Sequence, residues 1–213
     1  MSDRSHRALW VVPILFAVGA LPAHRFLDQR IAHAAHDAQL VKSQVLQWTT
    51  ELGEGVWWLA PAGLVFAVAA VRKQHNLARW AFAMLAAVGA SGLAVNLLKF
   101  LIGKSRPKLL FGDGEFGFQP FTADYDFNSF PSGHATTCGA AFMVLALAFP
   151  RARWLLLAIG VAIASTRVAI TAHYLSDILA GLALGMSTAL LVLRVWSRRW
   201  PNSVPTAAAA TRR

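Results

Sequence analysis

Long apolar runs, separated by short charged turns, constrain this chain more than any other feature of its sequence. Six stretches are mostly apolar and approach the length of a membrane-spanning helix. They are residues 8–23, 56–71, 78–102, 132–149, 154–172 and 177–195. A hydrocarbon core of about 30 Å needs roughly 20 such residues in a helix. None of the runs alternates apolar with polar residues, as a membrane barrel would. The pattern predicts an all-α integral membrane protein with six transmembrane helices.

The composition agrees with a membrane protein and argues against nucleic-acid binding. The chain is 56% hydrophobic and only 14% charged, whereas soluble domains carry about 25% charged residues. The net charge is +10, and such a balance can indicate a nucleic-acid partner. Here the basic residues lie in short clusters at the ends of the apolar runs, so we expect a bilayer around the chain and no nucleic acid.

The distribution of basic residues predicts the orientation in the membrane. The N-terminal segment, the turns at 72–79 and 151–153 and the segment from 194 onward together hold 12 Lys and Arg residues, with Asp3 as the only acid. Basic loops stay in the cytoplasm, so the loops at 25–55 and 103–131 are predicted to face outward. Residues 1–200 form one predicted domain with the first span retained, because 21–23 is a poor signal-peptide cleavage site. The Ala-rich tail at 201–213 is a predicted disordered cytoplasmic segment.

The loop at 25–55 carries apolar residues at helical spacing, which predicts an amphipathic helix in the membrane interface after the first span. His33, His36 and Asp37 lie on this helix, and their spacing would permit metal binding. The alternative is a set of ordinary polar-face histidines, which the missing fourth ligand favours. We therefore expect no metal.

Ionisable residues gather at the outward ends of three spans. Lys99 ends the third span and Arg106 follows it, while Arg167 lies near the end of the fifth. Three cations favour a phosphate group, which arginine binds through paired hydrogen bonds. Ser132 and Gly133 open the fourth span, and the free N–H groups of a helix start bind anions.

Two histidines and an aspartate complete the predicted site. His173 and Asp177 are four residues apart, a spacing that allows side-chain contact on a helix. A carboxylate bound to one imidazole nitrogen leaves the other as a nucleophile. His134 then serves as the general acid that protonates the departing oxygen.

These residues also form three motifs of a known family. Residues 99–107 match K-x6-R-P, residues 131–134 match P-S-G-H, and residues 166–177 match S-R-x5-H-x3-D except for Thr166 in place of serine. With this order and spacing, the chain resembles the type-2 phosphatidic acid phosphatase superfamily over most of its length.

The resemblance implies a phosphatase of membrane lipid phosphates or diphosphates that needs no metal or other cofactor. It implies a phosphohistidine on His173, with Asp177 as its partner and His134 as the acid. Lys99, Arg106, Ser132, Gly133 and Arg167 would bind the phosphate. A small enzyme of this type is expected in a bacterial inner membrane, with its site on the extracytoplasmic side.

Several alternatives stay open from the sequence. A phosphotransferase on the same scaffold would pass the phosphate to a second lipid, and a transporter would perform no chemistry. Undecaprenyl diphosphate, phosphatidylglycerophosphate, phosphatidate and lipid A 1-phosphate are all candidate substrates, and the oligomeric state is undetermined. The aromatic loop at 111–130, with Phe116 and Phe118, is either a lid over lipid chains or an interfacial aromatic belt.

Overall fold

The computed structural model describes residues 9–199, and the predicted tail at 201–213 lies outside them. Regular structure in this part of the chain is helical, apart from one isolated bridge between Lys104 and Phe118. The α-helices are α1 Val11–Phe26, α2 Asp28–Asp37, α3 Gln44–Glu51, α4 Val56–Val71, α5 His75–Ile102, α6 Pro107–Asp113, α7 Gly133–Ala148, α8 Arg153–Ala169 and α9 Leu175–Arg199. Short 3-10 turns occupy Leu40–Lys42, Tyr125–Phe127 and Pro150–Ala152.

The helices confirm an all-α membrane protein in its coarse form. Within residues 9–199, three stretches are long and apolar enough to cross a membrane, at His75–Ile102, Pro150–Ala169 and Leu175–Arg198. The number rises to five if the bent pairs α1–α2 and α3–α4 each count as one span. The remaining predicted span is α7, which has 16 residues and is therefore about 24 Å long. The count of six spans stays a prediction.

The interfacial segment is more broken than the sequence predicts. The single amphipathic helix expected in the loop at 25–55 is wrong, since α2 and α3 are separate helices. Gln39, with a left-handed backbone at φ 53°, interrupts them, and few residues other than glycine adopt this conformation. The axis bends by 72° between α1 and α2 and by 41° between α3 and α4. These bends bring α3 against α8.

The core is centred on α7, which packs most extensively against α9 and is also covered by α8 and α5. Close approach of α7 and α9 depends on small residues. A Cβ at Gly185 would overlap the carbonyl oxygen of Thr136, and one at Gly139 would lie 2.6 Å from the Leu182 oxygen. The two backbones therefore touch along α7, and this contact sets the start of α7 beside the start of α9.

The loop after α5 begins at a glycine that the backbone requires. Gly103 has φ +61°, and a Cβ there would overlap the backbone of Gln119. Its N–H donates to the Lys99 carbonyl at 2.9 Å, closing the helix in the usual left-handed C-terminal turn. The Gln119 N–H donates to the Gly103 carbonyl at 2.6 Å. The aromatic loop is thereby fastened beside the end of α5.

We expect Gly185→Ala to destabilise the protein by about 1–3 kcal/mol, because the new methyl group must push α9 away from α7. Thermal unfolding in detergent micelles would measure the loss. Gly89→Ala in α5 is the matched control, because nothing lies within 4 Å of its added Cβ. Equal midpoints for the two variants would contradict close packing of α7 on α9.

Candidate active site

Three cations converge at one end of the bundle without carboxylate partners. Lys99 lies at the end of α5, Arg167 near the end of α8, and Arg106 in the loop after α5. None of them forms an ion pair with an acid among residues 9–199. Each interacts electrostatically with at least one of the other two. Unpaired cations in a half-buried site are costly, so the arrangement favours an anionic ligand.

Arg106 holds the surrounding loops together as well as adding charge. Its Nε donates to the Tyr125 carbonyl at 3.0 Å, Nη1 to Ala172 at 3.3 Å and Nη2 to Asn128 at 3.4 Å. The guanidinium carbon lies 4.0 Å from the centre of the Tyr125 ring. Burial lowers the pKa of the Arg106 guanidinium. Since a guanidinium has five N–H donors, two remain for an anion.

The start of α7 points its free N–H groups toward the same place. Ser132 is the N-cap, and its hydroxyl accepts from the Ala135 N–H at 3.4 Å. The Lys99 ammonium would lie 3.7 Å from a Cβ at Gly133, so it sits directly at this helix end. The Ser132 N–H donates to the Asp177 carbonyl at 3.0 Å, which fixes α7 to α9. A helix start and a lysine together form an anion site.

His173 lies in the turn before α9, with one nitrogen occupied and one free. Its Nδ1 is 3.5 Å from Asp177 Oδ2 and 3.4 Å from the Ser129 hydroxyl oxygen. Ser129 donates to the same Asp177 oxygen at 2.6 Å, and the Tyr174 N–H donates to it at 2.9 Å. These contacts leave Nε2 available for attack. The predicted contact exists although His173 is not helical, because α9 begins at Leu175 and the turn before it places the imidazole beside Asp177.

Burial lowers the pKa of the His173 imidazole from its usual value near 6.5 to about 4, and Asp177 only partly offsets this effect. The side chain is 3% exposed, and the nearby Arg106 and Arg167 charges lower its pKa further. An imidazole must be neutral to attack phosphorus. His173 is therefore in its nucleophilic form at neutral pH.

His134 is surrounded by the same group of charges. Its electrostatic neighbours are Arg167, His173, Lys99 and Arg106. The turn between α3 and α4 covers it, since a Cβ at Gly53 would lie 2.9 Å from the His134 Cβ. The Nε2 atom is 3.9 Å from a carboxylate oxygen of Glu54, whose side chain is half exposed.

The structure therefore brings together all eight residues predicted from the sequence. It also adds residues that no motif marks, because they come from distant parts of the chain. Thr50 on α3 accepts a long hydrogen bond of 3.4 Å from Arg167 Nη1. Ser129 lies two residues before the second motif, and only its distance to Asp177 distinguishes it from other loop serines.

The histidines of α2 lie apart from this cluster. His36 stacks on Phe111 with ring centroids 4.1 Å apart, and His33 meets the same ring edge-on at 5.3 Å. Across residues 9–199, no three His, Cys, Asp or Glu side chains are grouped as metal ligands. His33 and His36 instead attach α2 to α6.

Comparison with known proteins identifies the family. The PAP2 superfamily model matches residues 80–201. A lipid A 1-phosphatase of Rhizobium etli is 34% identical over 200 residues, covering 89% of this chain and 86% of that protein. A lipid A 1-phosphatase of Rhizobium johnstonii is 48% identical over 108 residues, covering 51% and 44%. The chain belongs to the PAP2 superfamily.

A solved structure supports the PAP2 fold across most of the chain. It is the crystal structure of a PAP2-type phosphatidylglycerolphosphate phosphatase from Bacillus subtilis, with a TM-score of 0.58 at 19% identity. The match covers 89% of this chain and 97% of that one. Together with the phosphatase relatives and the apolar helices, this confirms the prediction of a membrane lipid phosphatase.

One PAP2 motif position differs from the usual pattern. Thr166 stands where serine is common, and its hydroxyl donates to the Ile163 carbonyl of its own helix at 2.6 Å. The side chain is buried. Because the hydroxyl is already satisfied within α8, the substitution leaves the three cations and the two histidines in place.

The low pKa of His173 predicts an unusually acidic lower limit for activity. We expect kcat/KM to fall below about pH 5, since protonation of His173 removes the attacking lone pair. The substrate phosphate also ionises, so the kcat/KM profile is first corrected for its separately measured ionisation. The midpoint of the corrected profile should lie near pH 4. A midpoint at the ordinary histidine value would contradict the burial argument. His36→Ala, outside the cluster, should keep the same profile.

Proposed function

We propose that this PAP2 protein removes the 1-phosphate of lipid A through a phosphohistidine on His173. One observation carries the mechanism: Arg106 and Arg167 lie beside the buried His173, whose Nδ1 is occupied and whose Nε2 is free, and Lys99 joins both arginines around His134. The choice of lipid rests on the two relatives named as lipid A 1-phosphatases.

The first chemical step forms a bond from His173 Nε2 to phosphorus and breaks the bond from phosphorus to the lipid oxygen. Lys99, Arg106 and Arg167 stabilise the charge on the phosphoryl oxygens, and the N-terminus of α7 adds N–H donors. His134 transfers its proton to the departing lipid oxygen. Asp177 stabilises the positive charge that develops on the His173 ring.

The second step returns the enzyme to its starting state. His134, now neutral, takes a proton from water, and the resulting hydroxide attacks phosphorus. The bond from phosphorus to His173 breaks, and inorganic phosphate leaves. A lipid hydroxyl in place of water would give the phosphotransferase reaction. No step needs a metal ion or another cofactor, since the protein supplies the positive charge and both proton transfers.

The proposed location is the bacterial inner membrane, with six spans and the site at the extracytoplasmic face. The distribution of basic residues supports this orientation, because the turns at 72–79 and 151–153 lie at the opposite end of the helices from the site. The phosphate would then sit at headgroup level while the acyl chains remain in the bilayer.

Purified protein tested on a panel of phosphates would decide the substrate. We expect removal of the 1-phosphate from lipid A bisphosphate to have a kcat/KM at least about 10-fold above the values for phosphatidylglycerophosphate, undecaprenyl diphosphate and phosphatidate. A preference of this size corresponds to a difference of about 1.4 kcal/mol in transition-state binding. Mass spectrometry distinguishes loss of the 1-phosphate from loss of the 4′-phosphate. EDTA should leave the rate unchanged, and His173→Ala should abolish it.

Each other outcome of this panel contradicts a defined part of the proposal. Preference for another lipid would refute the lipid A assignment, and equal efficiency on glucose 1-phosphate would refute a lipid substrate. Phosphate recovered on a second lipid would establish a phosphotransferase. Loss of activity in EDTA with recovery in a divalent cation would refute the cofactor-free mechanism.

The acid role of His134 predicts a dependence on the leaving group. His134→Ala should lower kcat/KM for lipid A by roughly 10²–10⁴-fold, the usual contribution of a general acid. The loss should be much smaller for p-nitrophenyl phosphate, whose leaving oxygen needs no proton. The measurement compares the fold decrease in kcat/KM on lipid A with the fold decrease on p-nitrophenyl phosphate, and His33→Ala is the control. Equal losses on both substrates would refute the role.

A further inference from the structure

A second buried ion pair lies directly behind the predicted catalytic aspartate. Lys104 is 1% exposed, and its ammonium donates to Asp28 Oδ2 at 2.7 Å, Ser176 Oγ at 2.8 Å and Asp177 Oδ1 at 2.8 Å. These contacts use all three donors of a lysine. The phosphate motifs assign no role to Lys104 or Asp28, and neither side chain faces the cation cluster.

Asp28 is bound as completely as Lys104. It begins α2 and is 1% exposed. Its Oδ1 accepts from the Ser176 N–H at 2.9 Å, and its Oδ2 accepts from the Ser176 hydroxyl at 2.6 Å. His24 Nδ1 lies 3.2 Å from the same Oδ2. The first two helices are thereby joined to the start of α9, 148 residues along the chain.

Aromatic rings shield this ion pair from water. The Lys104 ammonium lies 4.5 Å from the centre of the Tyr174 ring and 5.8 Å from the centres of the Phe116 and Phe130 rings. An enclosed charge interacts strongly with its neighbours because water does not screen it. Removing one partner of a buried pair leaves the other charge uncompensated, which is far more costly than losing a surface pair.

We propose that Lys104 and Asp28 are positioning residues that hold Asp177 ionised and aimed at His173. Lys104 neutralises the Asp177 oxygen that faces away from His173, while the other oxygen binds Ser129, the Tyr174 N–H and the imidazole. Asp28 accepts from the same Lys104 ammonium and so weakens the electrostatic attraction between Lys104 and Asp177. This inference rests on the proposed phosphohistidine mechanism and adds its supporting charges.

The charge arrangement predicts opposite changes for the two partners. Lys104→Met removes a positive charge near His173, so the pKa of the imidazole should rise and the acid limit of activity should move to higher pH. Asp28→Asn removes a negative charge, so the same limit should move to lower pH. A residue that merely supports folding would lower the amount of active enzyme without shifting either profile.

Other charged or titratable groups near Asp177 are unchanged in these variants, so they serve as a constant background. Around Asp177 and His173 they are His24 on α1, Lys99 on α5, Arg106 in the following loop, His134 on α7, Arg167 on α8, and His173 and Tyr174 in the turn before α9. His24 contacts only the Asp28 side of the network. A shift common to both single variants would point to one of these groups instead and would contradict the proposal.

The experiment uses the full-length enzyme in detergent micelles with p-nitrophenyl phosphate, so that it does not depend on the identity of the lipid. We expect Lys104→Met to lower kcat about 100-fold and Asp28→Asn about 10-fold, as loss of orienting partners behind a reactive group does. KM should change by no more than about 2-fold from the wild-type value, because all three Lys104 donors bind protein groups and none is left for the substrate. The double variant should recover about 10-fold over Lys104→Met, because it no longer buries two facing carboxylates.

The ion pair Lys108–Asp126, at 3.0 Å with a 73% exposed lysine side chain, offers a matched control. Lys108→Met should retain the wild-type rate and profile. If Lys104→Met does not accumulate, the isosteric Asp28→Asn decides alone, and an unchanged kcat and profile would overturn the inference. Activity remaining in His173→Ala would refute the proposed function instead, which separates the two failures.

Discussion

The structure depends on Asp177, a fully buried carboxylate that is contacted by polar groups from three separate parts of the chain. Lys104, Ser129, the Tyr174 N–H and His173 surround its oxygens. An isolated carboxylate would not stay ionised in such a place. Because these groups come from three different loops and turns, satisfying this one charge fixes the loop after α5, the segment before α7 and the turn before α9 relative to each other.

Helix packing explains why those loops meet at one level. Gly185 and Gly139 allow the backbones of α7 and α9 to touch, and the Ser132 N–H binds the Asp177 carbonyl where both helices begin. The motif residues at the two helix starts are thus held by backbone contact as well as by the buried Asp177 side chain. Rigid placement matters, because charge stabilisation of a transition state depends on donors that need no rearrangement.

The sequence predicted the eight site residues because spacing within the motifs carries their chemistry. It predicted membrane helices because hydropathy is a local property, yet the bend after Phe26 and the break at Gln39 depend on packing and were missed. Asp28 and Lys104 could not be paired from sequence, since 76 residues separate them. Lys104 occupies one of the unspecified positions of the first motif, between Lys99 and Arg106. In the sequence it looks like any other basic residue, and only its burial in the structure distinguishes it.

The buried network also revises the interpretation of the aromatic loop. Phe116 stacks on His24 at 5.2 Å, meets the Tyr174 ring at 5.2 Å and covers the Lys104 ammonium, whereas Phe118 is 51% exposed. Phe116 therefore excludes water from the charges behind Asp177, and Phe118 and Phe121 are exposed rings available to the bilayer or to a lipid chain. Moving Phe116 would expose Lys104 to water and weaken its attraction for Asp177. Any opening of this loop therefore has to leave Phe116 in place and move only the rings farther from Lys104. The lid and belt alternatives then apply to different residues of one loop, while Phe116 belongs to the packing around Lys104 and Tyr174.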